Sequence, residues 1–266
     1  QRCIRDSVAV GDVSSRAKRE IDAECNTGTP GFVDIHTHLD AQIAWDPIAS
    51  SSCYHGVTSV VLGNCGVTFA PCKPEDRDYL ANLMESVEDI PADSINSGLD
   101  WDWESYGEYL DALDRMDKGV NVGGMVGHCA VRYHAMGERS LDEKPASDED
   151  IEKICALVYE AIGSGALGFS TSRTYMHRVP DGRFVPGTHA AVNEMLAIGR
   201  VMGEHGKGVF EGALRLGERD HEDGLPKTRG EIAWGGQLSR ENQLNATFGV
   251  AHSYRRPELY RQIIEF

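Results

Sequence analysis

The alternation of short apolar runs with helical patterns is the feature that most restricts the fold of this 266-residue chain. From Phe32 onward, β-branched runs of strand length are followed by segments whose apolar residues recur at helical spacing. This alternation is typical of successive βα units on a parallel sheet. It predicts six strands, near residues 32–37, 57–64, 120–127, 166–171, 208–214 and 246–252.

Six βα units are too few for a complete eight-stranded barrel, which ordinarily takes about 250 residues or more. We therefore expect residues 30–266 to form an incomplete TIM-like (β/α) barrel, with about six of its eight units. An open, doubly wound sheet is the alternative, but no Gly-x-Gly-x-x-Gly loop follows the first strand. Residues 1–29 contain two short strand-like runs and are predicted to be part of a small β side domain.

Two helix starts and one long connection can be located in the sequence. A helix is expected to begin after Ser147, whose side chain can cap it together with Asp150, and another is expected to begin at Thr188. The connection over residues 73–117 is long for one βα unit, and we expect it to place helices over the barrel mouth.

Composition excludes several classes of function. A formal charge of -16 and a pI near 5.0 would repel phosphate backbones, so no nucleic-acid partner is expected. No stretch approaches the roughly 18 to 20 apolar residues that span a membrane, and the start has no export signal, so a cytoplasmic protein without a membrane partner is expected. The seven cysteines include no Cys-x-x-Cys pair, which favours buried thiols over disulfides. Exposed first and sixth strands could also support a homo-oligomer.

Two histidines in the first predicted strand are the first candidate metal ligands. Side chains alternate along a strand, so His36 and His38 are expected on one face with Asp34, and Val33 and Ile35 on the other, where they can pack under helices. The C-terminal ends of barrel strands are where such folds place active sites. Neutral imidazole binds zinc, iron or nickel, so the pair predicts a metal site.

Cys65 follows the second predicted strand within Gly63-Asn64-Cys65-Gly66. Most free cysteines are small buried hydrophobic residues, but the glycines here permit an unusual backbone and the close approach of a ligand. A thiolate binds zinc readily, so Cys65 is the third candidate ligand.

The segments PGFVDIHTHLD and GNCG, with VGHCAVRYHAMG and GALGFSTSRTY further on, resemble those of the N-acyl-D-amino-acid deacylases of the amidohydrolase superfamily. The resemblance implies a TIM-like barrel that binds one or two Zn²⁺ ions. It implies that His36, His38 and Cys65 are metal ligands, with the cysteine in place of the carboxylated lysine of many relatives. The implied substrate is a small N-acyl amino acid or a similar amide.

The sequence departs from the family pattern on its later strands. The resemblance implies a histidine ligand at the end of the fifth strand, where Ala213 lies; Glu211 could supply an oxygen ligand instead or pair with an arginine. His252, at the end of the sixth strand, is the candidate for the other histidine ligand. An aspartate after the last barrel strand is also implied, and no residue of this chain can be assigned to it.

Three further residues are candidates for contacts with substrate. His128 could stabilise an oxyanion as a catalytic residue, and Arg132 could hold a substrate carboxylate, although both could equally pack a loop. Tyr175 could reach a carbonyl oxygen or be a half-buried loop aromatic. The remaining histidines are expected to be surface or structural residues: His55, His134, His177, His189, His205 and His221.

The sequence predicts a zinc-dependent hydrolase that cleaves a C–N amide bond of N-acyl amino acids with metal-activated water. Within enzymes, the alternative is an amidohydrolase acting on a cyclic or other amide. From another class, the alternative is a catalytically inactive relative that binds a metal or small ligand. A third hypothesis is an incomplete reading frame.

Overall fold

A computed structural model describes residues 18–19, 21–22, 24–26 and 28–213 of the chain. Five parallel strands form one curled sheet in the order β1-β2-β3-β4-β5, which is an incomplete TIM-like barrel. The strands are β1 (Phe32–Asp34), β2 (Val57–Leu62), β3 (Asn121–Gly127), β4 (Gly168–Ser172) and β5 (Val209–Ala213). The barrel prediction is therefore confirmed for five strands, while the predicted sixth strand lies outside the described residues.

Seven α-helices occur in the described part of the chain. They are α1 (Ser50–Cys53), α2 (Arg77–Glu88), α3 (Ala92–Gly98), α4 (Tyr106–Arg115), α5 (His128–Met136), α6 (Asp148–Ser164) and α7 (Val192–Glu204). The long connection over residues 73–117 contains α2, α3 and α4 and buries its aromatic side chains in the core. Within the described ranges, no helix is long and apolar enough to cross a bilayer.

The first strand is shorter than predicted, since it ends at Asp34 and leaves His36 and His38 in the following loop. Val33 and Ile35 do not pack under helices as expected, because they are 58% and 54% exposed. The reason is that β1 is the edge of the described sheet and pairs only with β2. The residues described before position 30 contain no strand, and the rest of the predicted side domain lies outside the description.

One predicted helix start is right and the other is wrong. Ser147 caps α6 in a capping box, in which its hydroxyl accepts from the Asp150 amide and the Asp150 carboxylate accepts from the Ser147 amide. In contrast, α7 starts at Val192, four residues after Thr188. The Thr188 hydroxyl donates to the Val185 carbonyl inside a turn and so does not cap a helix.

A buried polar network joins α5, β4 and α7. His128 donates from Nε2 to Glu194 Oε1 (2.8 Å), and its Nδ1 lies 2.8 Å from the Thr171 hydroxyl. Arg132 donates to the same Glu194 oxygen (3.0 Å) and to the Ser140 carbonyl. Burial lowers the pKa of His128, while hydrogen bonds and charge from His128 and Arg132 overcome burial and lower the pKa of Glu194. The network is therefore an Arg–Glu ion pair with a neutral imidazole.

This network predicts a pH-dependent stability. Below pH 6.5, the ordinary pKa of histidine, the unfolded chain binds a proton at position 128, whereas burial keeps His128 neutral in the folded chain because it lowers the pKa of that residue. Acidification therefore favours unfolding. We expect His128→Gln to be less stable than the parent near neutrality. Denaturant titrations should show this deficit shrinking by about 1.4 kcal/mol between about pH 7.5 and about pH 5.5. The variant Ser86→Ala, which changes no ionisable group, is the control, and a constant deficit for His128→Gln would contradict the prediction.

The capping box predicts a second stability effect. Ser147→Ala removes the acceptor for the first turn of α6 and should lower the free energy of unfolding by about 0.5–2 kcal/mol. The matched control is again Ser86→Ala, on the exposed face of α2, where alanine is a better helix former. Equal losses in the two variants would show that the cap contributes nothing.

Candidate metal centre

Three potential metal ligands converge at the C-terminal ends of β1 and β2. Ligand atoms of His36, His38 and Cys65 all lie within 4.8 Å of one another, and Cys65 Sγ is 3.3 Å from His36 Nε2. Zinc bonds of about 2.0–2.3 Å to nitrogen and sulfur place neighbouring ligands roughly 3.5 Å apart, so this separation suits one shared ion. It is the one such group of histidine, cysteine and acidic residues found within the described ranges.

The two histidines share one side of their loop even though the strand has ended. Between them, Thr37 donates from its amide (3.2 Å) and its hydroxyl (2.7 Å) to the Val61 carbonyl of β2. Its own carbonyl accepts from the Asn64 side chain at 3.2 Å. These contacts fix Thr37 against β2, which leaves the flanking imidazoles to lie near each other with ring centroids 5.5 Å apart.

Cys65 lies in a tight 3₁₀ turn, Asn64–Gly66, whose backbone depends on glycine, as the sequence predicts. Gly63, Cys65 and Gly66 all have positive φ, at 73°, 54° and 79°. A Cβ on Gly63 would lie 2.0 Å from the Met125 carbonyl oxygen, and one on Gly66 would lie 2.8 Å from the Ser172 amide. The glycines therefore let the turn press against β3 and β4 while Cys65 faces the histidines.

Side chains from β4 and β5 hold this turn from the other side. Ser170 Oγ accepts a hydrogen bond from the Gly66 amide (2.9 Å) and donates to the Gly63 carbonyl. Glu211 Oε2 accepts from the Cys65 amide at 2.9 Å. Ser170 and Glu211 are register partners on adjacent strands, so one short row of polar groups fixes the backbone of the cysteine.

The electrostatics keep both imidazoles neutral and the thiol protonated. Burial, and then the charge of His36, lower the pKa of His38 to about 4, and burial also lowers the pKa of His36. Burial, followed by the negative charges of Glu211 and Glu88, raises the pKa of Cys65 to about 12. A cation bound here would therefore meet two ready nitrogen ligands and would have to displace the thiol proton.

One buried atom shows that the residues suit a cation. His38 Nε2 lies 3.6 Å from Glu88 Oε1 at the end of α2, which is too far for a hydrogen bond. The opposite atom, Nδ1, is buried and has no hydrogen-bond partner. An unpartnered buried nitrogen on a histidine that is grouped with a thiol and a second imidazole is what a divalent metal would satisfy.

The structure places the other predicted site residues apart from this cluster or outside the description. His128 and Arg132 are fully buried in the network with Glu194, an arrangement that agrees with the packing alternative, and their substrate roles stay predictions. Tyr175 is half-buried, and its ring packs on Phe184 with centroids 4.7 Å apart. His252 lies outside the described residues.

Three residues near the cluster were not found by sequence reasoning. Glu88 contacts His38, while Asp40, fully buried, accepts from the Gly63 amide at 3.1 Å and links the histidine loop to the cysteine turn. His177, predicted to be a surface or structural residue, is close enough to His38 for its charge to lower that pKa further. Asp40 had a signal, since it follows His38 by two residues in His-Leu-Asp, whereas Glu88 and His177 had none.

Comparison with known proteins identifies curated relatives. An uncharacterised protein of Mycobacterium tuberculosis is 32% identical over 218 residues, which cover 77% of this chain and 35% of the relative. D-aminoacylase of Alcaligenes xylosoxydans xylosoxydans is 31% identical over 208 residues, covering 78% and 38%. The chain thus spans little more than a third of the length of these relatives.

Solved structures with the same fold include a D-aminoacylase, with a TM-score of 0.58 and 26% identity over 80% of this chain and 38% of that one. Another is the N-acyl-D-glutamate deacylase from Bordetella bronchiseptica in complex with zinc and a phosphonate inhibitor (TM-score 0.58, 25% identity, 79% and 38% coverage). Residues 19–258 of the present sequence match the family model described as the amidohydrolase family. The chain belongs to the amidohydrolase family.

Proposed function

We propose that the protein of which this chain is part is a zinc-dependent hydrolase that cleaves the amide C–N bond of N-acyl amino acids, of the N-acyl-D-amino-acid class. The observation that carries the proposal is the convergence of His36, His38 and Cys65 in a chain of the amidohydrolase family. The names of two similar proteins, D-aminoacylase and N-acyl-D-glutamate deacylase, support the substrate class. A structure of the latter with zinc supports the choice of metal, and a D-aminoacylase described with a binuclear centre supports one or two ions.

The chain's own residues would have distinct tasks in this reaction. A bound divalent cation would polarise the substrate carbonyl and make water a stronger nucleophile near neutral pH. His36 and His38 would hold the cation as neutral imidazoles, and Cys65 would hold it after losing its proton. Tyr175, in the loop after β4, remains the proposed contact for the substrate carbonyl.

A catalytically inactive metal-binding relative is the second candidate, because Ala213 ends β5 where the resemblance implies a histidine. Activity separates the two functions, since both require the metal. The assay is release of free amino acid from N-acetyl-D- and N-acetyl-L-amino acids by the protein supplied with Zn²⁺.

We predict that the chain binds zinc and that His36→Ala and Cys65→Ser each lose at least about tenfold in affinity, because each removes one of three ligands. The measurement is equilibrium dialysis with metal analysis. Cys155→Ser, which changes a half-buried thiol on α6, should keep the parent affinity and serves as the matched control.

Unchanged zinc affinity in both His36→Ala and Cys65→Ser would refute the metal centre. Zinc binding without hydrolysis of any acylated amino acid would favour the inactive relative. Hydrolysis of the D series in preference to the L series would support the substrate class.

A further inference from the structure

We propose that Glu211 is an oxygen ligand of the metal held by His36, His38 and Cys65, and that this carboxylate stands in for the imidazole that β5 lacks. The inference rests on the proposed function, because it assumes that a metal binds at this cluster.

The position of Glu211 is the first argument. Its carboxylate Oε2 accepts a hydrogen bond of 2.9 Å from the backbone amide of Cys65. The carboxylate is therefore hydrogen-bonded to the residue whose sulfur belongs to the ligand cluster. The Glu211 carboxylate lies outside the group of ligand atoms that are all within 4.8 Å of one another, so its free oxygen would meet an ion next to Cys65 after a rotation of the side chain.

The missing partner of the carboxylate is the second argument. The hydrogen bond from the Cys65 amide is the one described for the Glu211 side chain, and no lysine or arginine in the described ranges forms an ion pair with it. The residue is half-buried. Partial removal of a carboxylate from water without a cationic partner costs free energy, and a metal ion beside Cys65 would supply that partner.

Charge balance is the third argument. A divalent cation bound by two neutral imidazoles and one thiolate leaves one unit of positive charge in a partly buried site. One carboxylate cancels this charge. Glu211 is the carboxylate hydrogen-bonded to the backbone of Cys65, whereas Glu88 Oε1 lies 3.6 Å from His38 Nε2.

A purely structural role for Glu211 is the competing explanation, and one substitution separates the two. In Glu211→Gln the amide oxygen can still accept from the Cys65 amide, so the turn keeps its hydrogen bond. The variant loses only the negative charge and the strong oxygen ligand. A structural role therefore predicts unchanged metal binding, and a ligand role predicts weaker binding.

The test is a titration of the 266-residue chain with Co²⁺, whose visible spectrum reports both coordination and bonding to the thiolate of Cys65. We expect Glu211→Gln to bind Co²⁺ at least about tenfold more weakly than the parent and with a changed spectrum. Glu160→Gln is the matched control: it removes an exposed carboxylate that accepts from Ser164, and should match the parent. Thermal unfolding without metal checks that each variant is folded.

A second variant keeps the test decisive if Glu211→Gln does not fold. Glu211→His offers another metal ligand on the same strand, and we expect it to bind Co²⁺ with a spectrum shifted toward nitrogen coordination. Parent-like affinity and spectrum in Glu211→Gln, or an unshifted spectrum in Glu211→His, would overturn the assignment of Glu211 while leaving the three-residue site intact. A parent chain that binds no Co²⁺ or Zn²⁺ would overturn both the inference and the proposed function.

Discussion

The hydrogen bonds that fix the turn at Cys65 are the constraint on which the candidate site depends. Three of the four residues from Gly63 to Gly66 have positive φ, a conformation that a cysteine rarely adopts unless its surroundings impose it. Ser170 and Glu211 impose it from β4 and β5, and the Asn64 side chain ties it to the Thr37 carbonyl. Residues from four strands or their loops thus determine where one sulfur atom lies.

Two polar regions of the described structure differ in how completely their atoms are hydrogen-bonded. The Arg132–Glu194 pair and neutral His128 join α5 to α7 behind the sheet, where every strong hydrogen-bonding atom except Glu194 Oε2 has a partner. In the loop that follows β1, the buried atoms His38 Nδ1 and Asp40 Oδ1 have no hydrogen-bond partner. An unpartnered histidine nitrogen next to His36 and Cys65 is typical of a binding site.

How much of this could be predicted from sequence depended on the range of the interactions. Local patterns located all five described strands to within three residues, the cap at Ser147 and the candidate ligands His36, His38 and Cys65, because these follow from alternation, capping and glycine chemistry. The start of α7 was missed since Thr188 is engaged by a turn that no local pattern reveals. The contact between Cys65 and Glu211 joins residues that are 146 positions apart in the chain. It depends on how the sheet curls, so no local sequence pattern predicts it.

The end of β5 has Ala213 where the family resemblance implies a histidine, and strand geometry shows what this difference means for the site. Residues 211 and 213 share one face of the strand, and two residues of strand advance the chain by about 6–7 Å. A histidine at position 213 would approach the site from the strand end, whereas a residue at position 211 starts one step further inside the sheet. The longer, flexible side chain of glutamate recovers part of that distance, and its carboxylate already reaches the Cys65 amide. In the proposed site, the carboxylate of Glu211 takes the place of an imidazole at position 213 and approaches the Cys65 turn from further inside the sheet.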